Sequence, residues 1–211
     1  QRIAVWVLPV IFAITVHEVA HGWVAKQFGD NTASDLGRLT LNPIKHIDLV
    51  GTIILPAMLL VTFTGYIFGW AKPVPVVPQN FKSPRKMMAI VAVAGPVSNI
   101  LMAIGWALIM RVGTMVFSSS EAIALPLIYS GVAGISINLV LALINLIPIP
   151  PLDGGRIVAG LLPEKWAFYF GKLERFGFII LLALLFSGGL NLLLGYPMFI
   201  IQQWFFSLGG M

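Results

Sequence analysis

Long apolar runs separated by short polar links dominate the hydrophobic pattern of this chain. A transmembrane α-helix needs about 20 mostly apolar residues, and the runs of that length are 3–28, 47–70, 87–112, 122–147 and 176–198. The segment 164–175 mixes charges with aromatic residues, as helices at a membrane surface do, and the weak alternation at 36–41 indicates a short strand. The pattern therefore predicts an all-α polytopic membrane protein, a bundle of about five to six transmembrane helices with short interfacial strands or loops.

The composition supports a membrane location and excludes several kinds of function. The 211 residues are 58% hydrophobic and only 10% charged, with a mean hydropathy of +0.94, whereas a soluble domain carries about 25% charged residues. We therefore expect one membrane-embedded domain over residues 1–211, crossing the cell membrane several times. The net charge of +5 comes from basic residues scattered through membrane-flanking loops, so no nucleic-acid partner is indicated. The absence of cysteine excludes thiolate zinc sites and cysteine nucleophiles.

The positions of lysine and arginine allow two orientations in the membrane. If every run crosses once, most basic residues fall on the N-terminal side, and the positive-inside rule places the N-terminus in the cytoplasm. Gly51, Pro56 and Gly65 interrupt run 47–70, however, so this run is alternatively a re-entrant hairpin. A re-entrant hairpin reverses the membrane orientation of every later run. The sequence therefore leaves the orientation open.

Two histidines and a glutamate lie inside the first apolar run: His17, Glu18 and His21. Ionisable side chains are expensive in hydrocarbon, and those that occur there mark functional sites. Residues four apart share one face of a helix, so both imidazoles can bind one metal ion, while Glu18 lies close enough to act on a water molecule. This spacing is the H-E-x-x-H pattern of zinc proteases, and it predicts one Zn²⁺ ion.

Asp153 is the best candidate for a third metal ligand, which a catalytic zinc ion usually requires. The other acids lie in loops, at the ends of runs or in the interfacial segment. Asp153 follows an apolar helix that the prolines at 148–151 must unwind, and a broken helix is tolerated in a bilayer where it lines a cavity. The alternative is a capping role for Asp153 in an ordinary turn. His46 is the second candidate ligand, although a structural role beside Asp48 is the more natural expectation.

The two motifs together resemble the site-2 protease family of intramembrane zinc metalloproteases, most closely its small bacterial and archaeal branch without a PDZ domain. The resemblance rests on H-E-V-A-H at 17–21 in a first transmembrane helix and on N-L-I-P-I-P-P-L-D-G at 145–154 far downstream. The stretches G-R-L-T-L-N-P at 37–43, G-W-A-K-P-V-P at 69–75 and A-G-P-V-S-N at 94–99 also look like that branch. The run from Phe176 onward carries no diagnostic residue.

The resemblance implies a role for each matching residue. The implied zinc ligands are His17, His21 and Asp153. Glu18 would act as general base and then as proton donor. Asn99 matches the asparagine of the family's G-x-x-x-N element, which begins here at Gly95, and it would lie near the scissile carbonyl or hold the substrate. Helix packing is the alternative for both residues, since small residues let helices approach and Asn99 can hydrogen-bond a neighbouring helix.

The implied activity is a zinc endopeptidase that cuts membrane-spanning segments of other proteins, so the expected partners are a substrate's transmembrane helix and the lipid bilayer. Such a helix must unwind before it can be cut. In the extended segment 72–76, Pro73 and Pro75 lack N–H groups, which leaves Val74 and Val76 to pair with an unwound substrate by strand addition. A stiff proline-rich loop without substrate contact is the alternative.

Two further functions compete with proteolysis. A metal transporter could use histidine and aspartate in a bundle, but it would be expected to carry several relay sites, and the sequence shows only one cluster. An inactive scaffold is disfavoured by Glu18, because metal binding alone does not require this residue. One conflict concerns topology: strict alternation of the runs makes the two motif-bearing helices antiparallel, whereas a re-entrant 47–70 makes their directions compatible.

Overall fold

The structure is a computed structural model that describes residues 2–61 and 69–211. Its α-helices, in chain order, are α1 (Arg2–Gln27), α2 (Thr32–Asp35), α3 (Leu55–Val61), α4 (Pro84–Val116), α5 (Glu121–Asn145), α6 (Asp153–Leu161), α7 (Glu164–Gly171), α8 (Glu174–Phe186) and α9 (Gly189–Leu208). A π-helix, Leu49–Ile54, precedes α3 directly, and short 3-10 turns occupy Pro43–His46 and Pro78–Asn80. The described residues contain no strand, so the predicted all-α bundle is confirmed, and 36–41 forms turns and bends instead of a strand.

Helices α1, α4 and α5 pack against one another and form the core of the bundle. The buried face of α4 consists largely of small residues, which let neighbouring backbones approach closely; they include Ala92, Gly95, Ala103, Ala107 and Gly113. Contacts join His21 to Val91 and His17 to Asn99, so α1 and α4 run antiparallel. The short link 117–120 returns the chain as α5, antiparallel to α4. Helices α1 and α5 therefore run in the same direction.

The two ends of run 47–70 lie in contact with each other. The Trp70 N–H donates to the Gly51 carbonyl at 3.1 Å, and the Thr52 hydroxyl donates to the Trp70 carbonyl at 2.8 Å. Gly51 makes this closure possible, because a Cβ there would lie 2.3 Å from the Trp70 indole. The π-helix and α3 together are only about 20 Å long, short of a hydrocarbon core of about 30 Å. The re-entrant alternative is therefore the one that the structure supports, although 62–68 lie outside the described residues.

Membrane-length helices account for three of the remaining runs, and a bent pair accounts for the last. Val5–Gln27, Pro84–Val116 and Glu121–Asn145 are each long and apolar enough to cross a membrane. Helices α8 and α9, which replace run 176–198, meet at an angle of 74° and would form a fourth crossing if counted as one span. Gly188, with a φ of 76°, permits this bend because left-handed backbone suits glycine. The described part of the chain thus holds three candidate spans, or four.

Candidate metal centre

Two histidines and one aspartate, all buried, meet in the core of the bundle. His17 and His21 lie one turn apart on α1, and their Nε2 atoms are 3.1 Å apart. Oδ2 of Asp153, the first residue of α6, lies 3.3 Å from Nε2 of His17 and 3.2 Å from Nε2 of His21. Each of the three residues predicted as ligands therefore points one atom at a common position. Among the residues that the structure describes, this is the one group of His, Asp or Glu side chains found that could hold a metal ion.

The break between α5 and α6 brings Asp153 next to the two histidines. Helix α5 ends at Asn145, and the prolines that follow cannot continue its hydrogen bonding. The chain then folds tightly back, and α6 restarts at Asp153. Gly154 and Gly155 allow this fold, since a Cβ on Gly154 would lie 2.4 Å from the Ile147 carbonyl oxygen and one on Gly155 would lie 2.3 Å from the Pro150 nitrogen. Asp153 is only 5% exposed, which disfavours a solvated cap in an ordinary turn.

Hydrogen bonds behind the imidazoles fix the tautomer of both rings. Nδ1 of His17 lies 2.6 Å from Oδ1 of Asn99, and Nδ1 of His21 lies 2.8 Å from the Val91 carbonyl oxygen. Both partners are acceptors, so each Nδ1 carries the proton and each Nε2 presents a lone pair. The Asn99 amide is oriented in turn, because its Nδ2 donates to the Ala13 carbonyl and to Oδ1 of Asn138. Such outer partners orient metal-binding histidines in proteins.

The cluster fits a zinc ion by its chemistry and by its spacing. Two imidazole lone pairs and a carboxylate oxygen face one another, and the buried Oδ2 of Asp153 accepts no hydrogen bond from the described residues. Three acceptors at such short range repel one another unless a cation lies between them. Zinc accepts nitrogen and oxygen ligands at about 2.0–2.1 Å, and tetrahedral geometry then separates neighbouring ligands by about 3.3 Å. The separations of 3.1, 3.2 and 3.3 Å agree with that value.

Gly95 of α4 provides the space that the two imidazoles occupy. A Cβ at this position would lie 2.5 Å from Cε1 of His17 and 2.5 Å from Nε2 of His21. Real Cβ atoms do not approach other atoms so closely, so any larger residue would displace the rings or separate α1 from α4. The G-x-x-x-N element thus acts through both ends: Gly95 makes room for the rings, and Asn99 holds one of them.

Glu18 has a defined partner beside the metal cluster. Its Oε2 accepts a hydrogen bond of 2.8 Å from the backbone N–H of Val74. Val74 is only 7% exposed and belongs to an irregular segment that crosses the C-terminal half of α1. The predicted general base is therefore held by the proline-flanked segment that the sequence suggested for substrate pairing.

The structure separates the remaining predicted residues. His46 is buried and its Nε2 contacts the Thr40 carbonyl at 2.9 Å, outside the metal cluster, which agrees with the structural role expected for it. Asn99 is fully buried, and its hydrogen bonds go to α1 and α5, so these contacts favour the neighbouring-helix alternative over substrate binding. The Val74 amide is engaged by Glu18, and only the Val76 amide forms no hydrogen bond with residues that the structure describes.

Sequence reasoning did not identify Asn138, which completes the polar chain behind the metal cluster. Its Oδ1 accepts from Asn99, its Nδ2 donates to the Gly134 carbonyl, and it is fully buried. The available signal was an amide side chain in the middle of an apolar membrane helix, where polar residues hydrogen-bond across helices. The Val74 amide had no such signal, since a backbone N–H has no residue type.

Comparison with known proteins links the chain to a protease family. Residues 111–188, which include Asp153, match the model of "Peptidase family M50". The chain is 44% identical over 179 residues, 84% of this chain and 78% of the relative, to "Putative zinc metalloprotease YwhC" of Bacillus subtilis. It is 30% identical over 202 residues, 95% of this chain and 72% of the relative, to "Putative zinc metalloprotease Rip2" of Mycolicibacterium smegmatis, and 27% identical to the Mycobacterium tuberculosis protein of the same name over 95% of this chain and 72% of the relative. No solved structure matches the chain.

Proposed function

This chain belongs to peptidase family M50, the zinc metalloproteases of the site-2 protease type, and we propose that it hydrolyses peptide bonds in or near the transmembrane segments of other proteins. It is a metal-dependent hydrolase with membrane-length apolar helices. The observation that carries the proposal is the His17–His21–Asp153 cluster, which lies in the buried core between such helices. A substrate that reaches this cluster must itself enter the lipid-embedded bundle.

The proposed ligands of the zinc ion are His17, His21 and Asp153, and the proposed general base is Glu18. Bound zinc would polarise the scissile carbonyl and lower the pKa of water. Asn99 and the Val91 carbonyl hold the rings so that both Nε2 lone pairs face inward. Glu18 would take a proton from the attacking water at its free carboxylate oxygen and deliver it to the leaving amine nitrogen.

The substrate site remains a proposal that involves three residues. Asn99, predicted near the scissile carbonyl, would act through His17, given its contacts. Strand addition along 72–76 has one amide left for it, that of Val76, because Val74 donates to Glu18. An unwound substrate that pairs there would lie next to the C-terminal half of α1, on which the base and two of the ligands sit.

We further propose that residues 1–211 act as a single metalloprotease domain that crosses the cell membrane several times. The contacts among α1, α4, α5 and α6 support one domain, because the proposed ligands come from both α1 and α6 while α4 packs against both. The cluster draws on both motifs, so the site requires the described chain from α1 to α6.

The experiment that tests this function compares Glu18→Gln with the unmodified protein in detergent. The probe is a quenched-fluorescence transmembrane peptide with helix-breaking residues at its centre. General acid–base catalysis contributes about 10²–10⁴-fold, so we expect Glu18→Gln to cleave at least about 100-fold more slowly while it retains one zinc ion. Glu121→Gln is the matched control, since Glu121 is exposed at the start of α5, and it should cleave normally.

This cleavage assay, together with a zinc-flux assay on protein in vesicles, separates the competing functions. A scaffold would show no cleavage in the unmodified protein, and a transporter would move zinc across vesicle membranes whether or not Glu18 is intact. Cleavage by Glu18→Gln at the normal rate would contradict the proposed base.

A further inference from the structure

The segment 72–77, here called the strap, is fixed at both ends by hydrogen bonds to the loop that follows α1. At its start, the Lys72 N–H donates to the His46 carbonyl at 2.9 Å, and the Arg38 guanidinium donates to the Lys72 carbonyl at 2.9 Å. At its end, the Val77 N–H donates to Oδ2 of Asp30 at 2.7 Å. These contacts tie the strap to the loop 29–46 that follows α1, so its position relative to α1 is set.

The middle of the strap lies directly on α1. A Cβ at Gly22 would lie 2.7 Å from Cγ1 of Val74, so the Val74 side chain packs where Gly22, next to His21, leaves space. Pro73 and Pro75 on either side of Val74 have no N–H. The Val74 amide is therefore the only backbone donor between Lys72 and Val76, and it is directed at Glu18.

We propose that the backbone N–H of Val74 is a positioning group for the catalytic carboxylate of Glu18, held in place by the anchored strap. This inference rests on the proposed function, because it assigns Glu18 the role of base. A hydrogen bond from a backbone amide to a carboxylate is charge-assisted and fixes direction as well as distance. With Oε2 held at 2.8 Å by Val74, the other oxygen, Oε1, is left as the acceptor for the proton of the attacking water.

The Val74 amide therefore differs in role from a substrate clamp, for which only the Val76 amide is left. A clamp needs free amides along an exposed edge, but the Val74 amide is engaged and its side chain is buried. The anchors His46 and Arg38 belong to the stretch 38–46, which explains why two polar residues far from the metal cluster are buried or half-buried. His46 and Arg38 fix the position of the strap, and the strap in turn positions Glu18.

The test replaces the Val74 amide with an ester, by incorporation of the hydroxy acid analogue of valine, so that the N–H is lost and the side chain is kept. The same ester at Ala71, whose amide has no described partner, is the matched control. With the quenched-fluorescence transmembrane peptide, we expect kcat to fall about 10- to 100-fold for the Val74 ester, as for other partners that orient a catalytic group. KM and the zinc content should not change, and the Ala71 ester should behave like the unmodified protein. Val74→Pro, which also lacks the N–H, should reproduce the result.

A second measurement does not depend on cleavage. Thermal unfolding of the metal-free protein should show that the Val74 ester lowers the melting temperature in the unmodified background and not in Glu18→Ala, because the partner is then absent. Equal losses in both backgrounds would overturn the inference, as would an unchanged kcat. Loss of zinc together with kcat would also overturn it, because Val74 would then act on the ligands. If the unmodified protein holds no zinc or cleaves no peptide, the proposed function itself fails.

Discussion

At the scale of single residues, buried amide side chains decide how the histidines are presented. Asn99 and Asn138 form a chain of hydrogen bonds that joins α1, α4 and α5 and ends at His17. The sequence predicted His17 and His21 from helical spacing, because residues four apart share a face whatever surrounds them. It could not predict which side chains lie behind the rings. Contacts between helices depend on how each helix is rotated about its axis and how far it is shifted along the bundle, and the hydrophobic pattern of one sequence contains neither. The resemblance implies a substrate role for Asn99, with a hydrogen bond to a neighbouring helix as the alternative, and only the packing shows its position behind His17.

Asp30 shows the same limit at the end of α1. Its carboxylate accepts hydrogen bonds from Thr32, Val77 and Asn80, and it is almost fully buried, yet the sequence presents it as an ordinary acid in a polar link. Burial by itself would raise the pKa of Asp30, but the hydrogen bonds from Thr32, Val77 and Asn80 outweigh it and hold the pKa below its ordinary value of 3.8. A buried carboxylate with this many donors joins the loop after α1 to the strap.

The first prediction at this scale concerns Asp30→Asn. The substitution turns one carboxylate oxygen into an NH₂ group, which then faces a hydrogen-bond donor of Thr32, Val77 or Asn80. We therefore expect it to lower the free energy of unfolding by about 1–3 kcal/mol. Because the pKa is lower in the folded protein, the contribution of Asp30 is complete above 3.8 and is lost as the pH falls toward the folded-state value. Unfolding measured between pH 7 and pH 3 should show the gap between the two proteins narrowing as the pH falls. A gap that widens in acid would contradict this sign.

At the scale of elements, the contact between α1 and α4 depends on one missing side chain. Gly95 lies against both imidazoles, whereas Gly105, ten residues further along the same helix, has no atom within 4 Å of the position that a Cβ would take. Both glycines lie in a membrane helix where small residues are common, and the G-x-x-x-N element singles out Gly95. Only the packed structure shows that the space left by Gly95 is occupied by the two imidazoles.

A matched pair of substitutions tests this difference. Gly95→Ala should displace the histidines and lower zinc affinity by about 10- to 100-fold, the usual cost of disturbing the support of a metal site. Gly105→Ala introduces the same methyl group into open space on the same helix and should leave zinc affinity unchanged. Zinc titration of the two purified proteins provides the measurement. Equal affinities would show that the ligands tolerate movement of α4.

The re-entrant run shows why the sequence predicted some elements and not others. Runs 3–28, 87–112 and 122–147 became α1, α4 and α5 because an apolar segment of that length satisfies its backbone hydrogen bonds in a bilayer as a helix. Run 47–70 has the same length, and its fate depends on the contact between Gly51 and Trp70, which lie far apart along the chain. Glycine and proline indicated that the run could break, but not where its ends would meet. The contact between Gly51 and Trp70 agrees with the common direction of α1 and α5, which removes the topological conflict.

At the scale of the whole molecule, the contact between the two ends of run 47–70 changes the expected distribution of charge across the membrane. Of the 13 lysine and arginine residues, all except Arg2 and Arg111 then lie toward the face that carries the C-terminal end of α1 and the loops around the strap. Cytoplasmic loops carry the excess of positive charge. We therefore expect this face to be cytoplasmic and the N-terminus to lie on the opposite side, the reverse of the orientation obtained when every run crosses once.

Single cysteines can report this orientation cleanly, because the chain has none of its own. Gln79→Cys places an exposed thiol at the basic face, and Ser118→Cys places one in the link between α4 and α5 at the other face. On intact cells, a membrane-impermeant maleimide should label Ser118→Cys at once and Gln79→Cys only after permeabilisation. The opposite pattern would return the N-terminus to the cytoplasm.

His21 lies near the C-terminal end of α1, and this position determines how water reaches the metal cluster. Six residues separate it from the helix end at Gln27, a rise of about 9 Å, under a third of a hydrocarbon layer about 30 Å thick. We therefore expect water to reach the metal cluster over this short distance, from the side that bears the polar loops. Hydrolysis would then need no water path through the whole bundle, so the bilayer would keep its barrier to protons and ions.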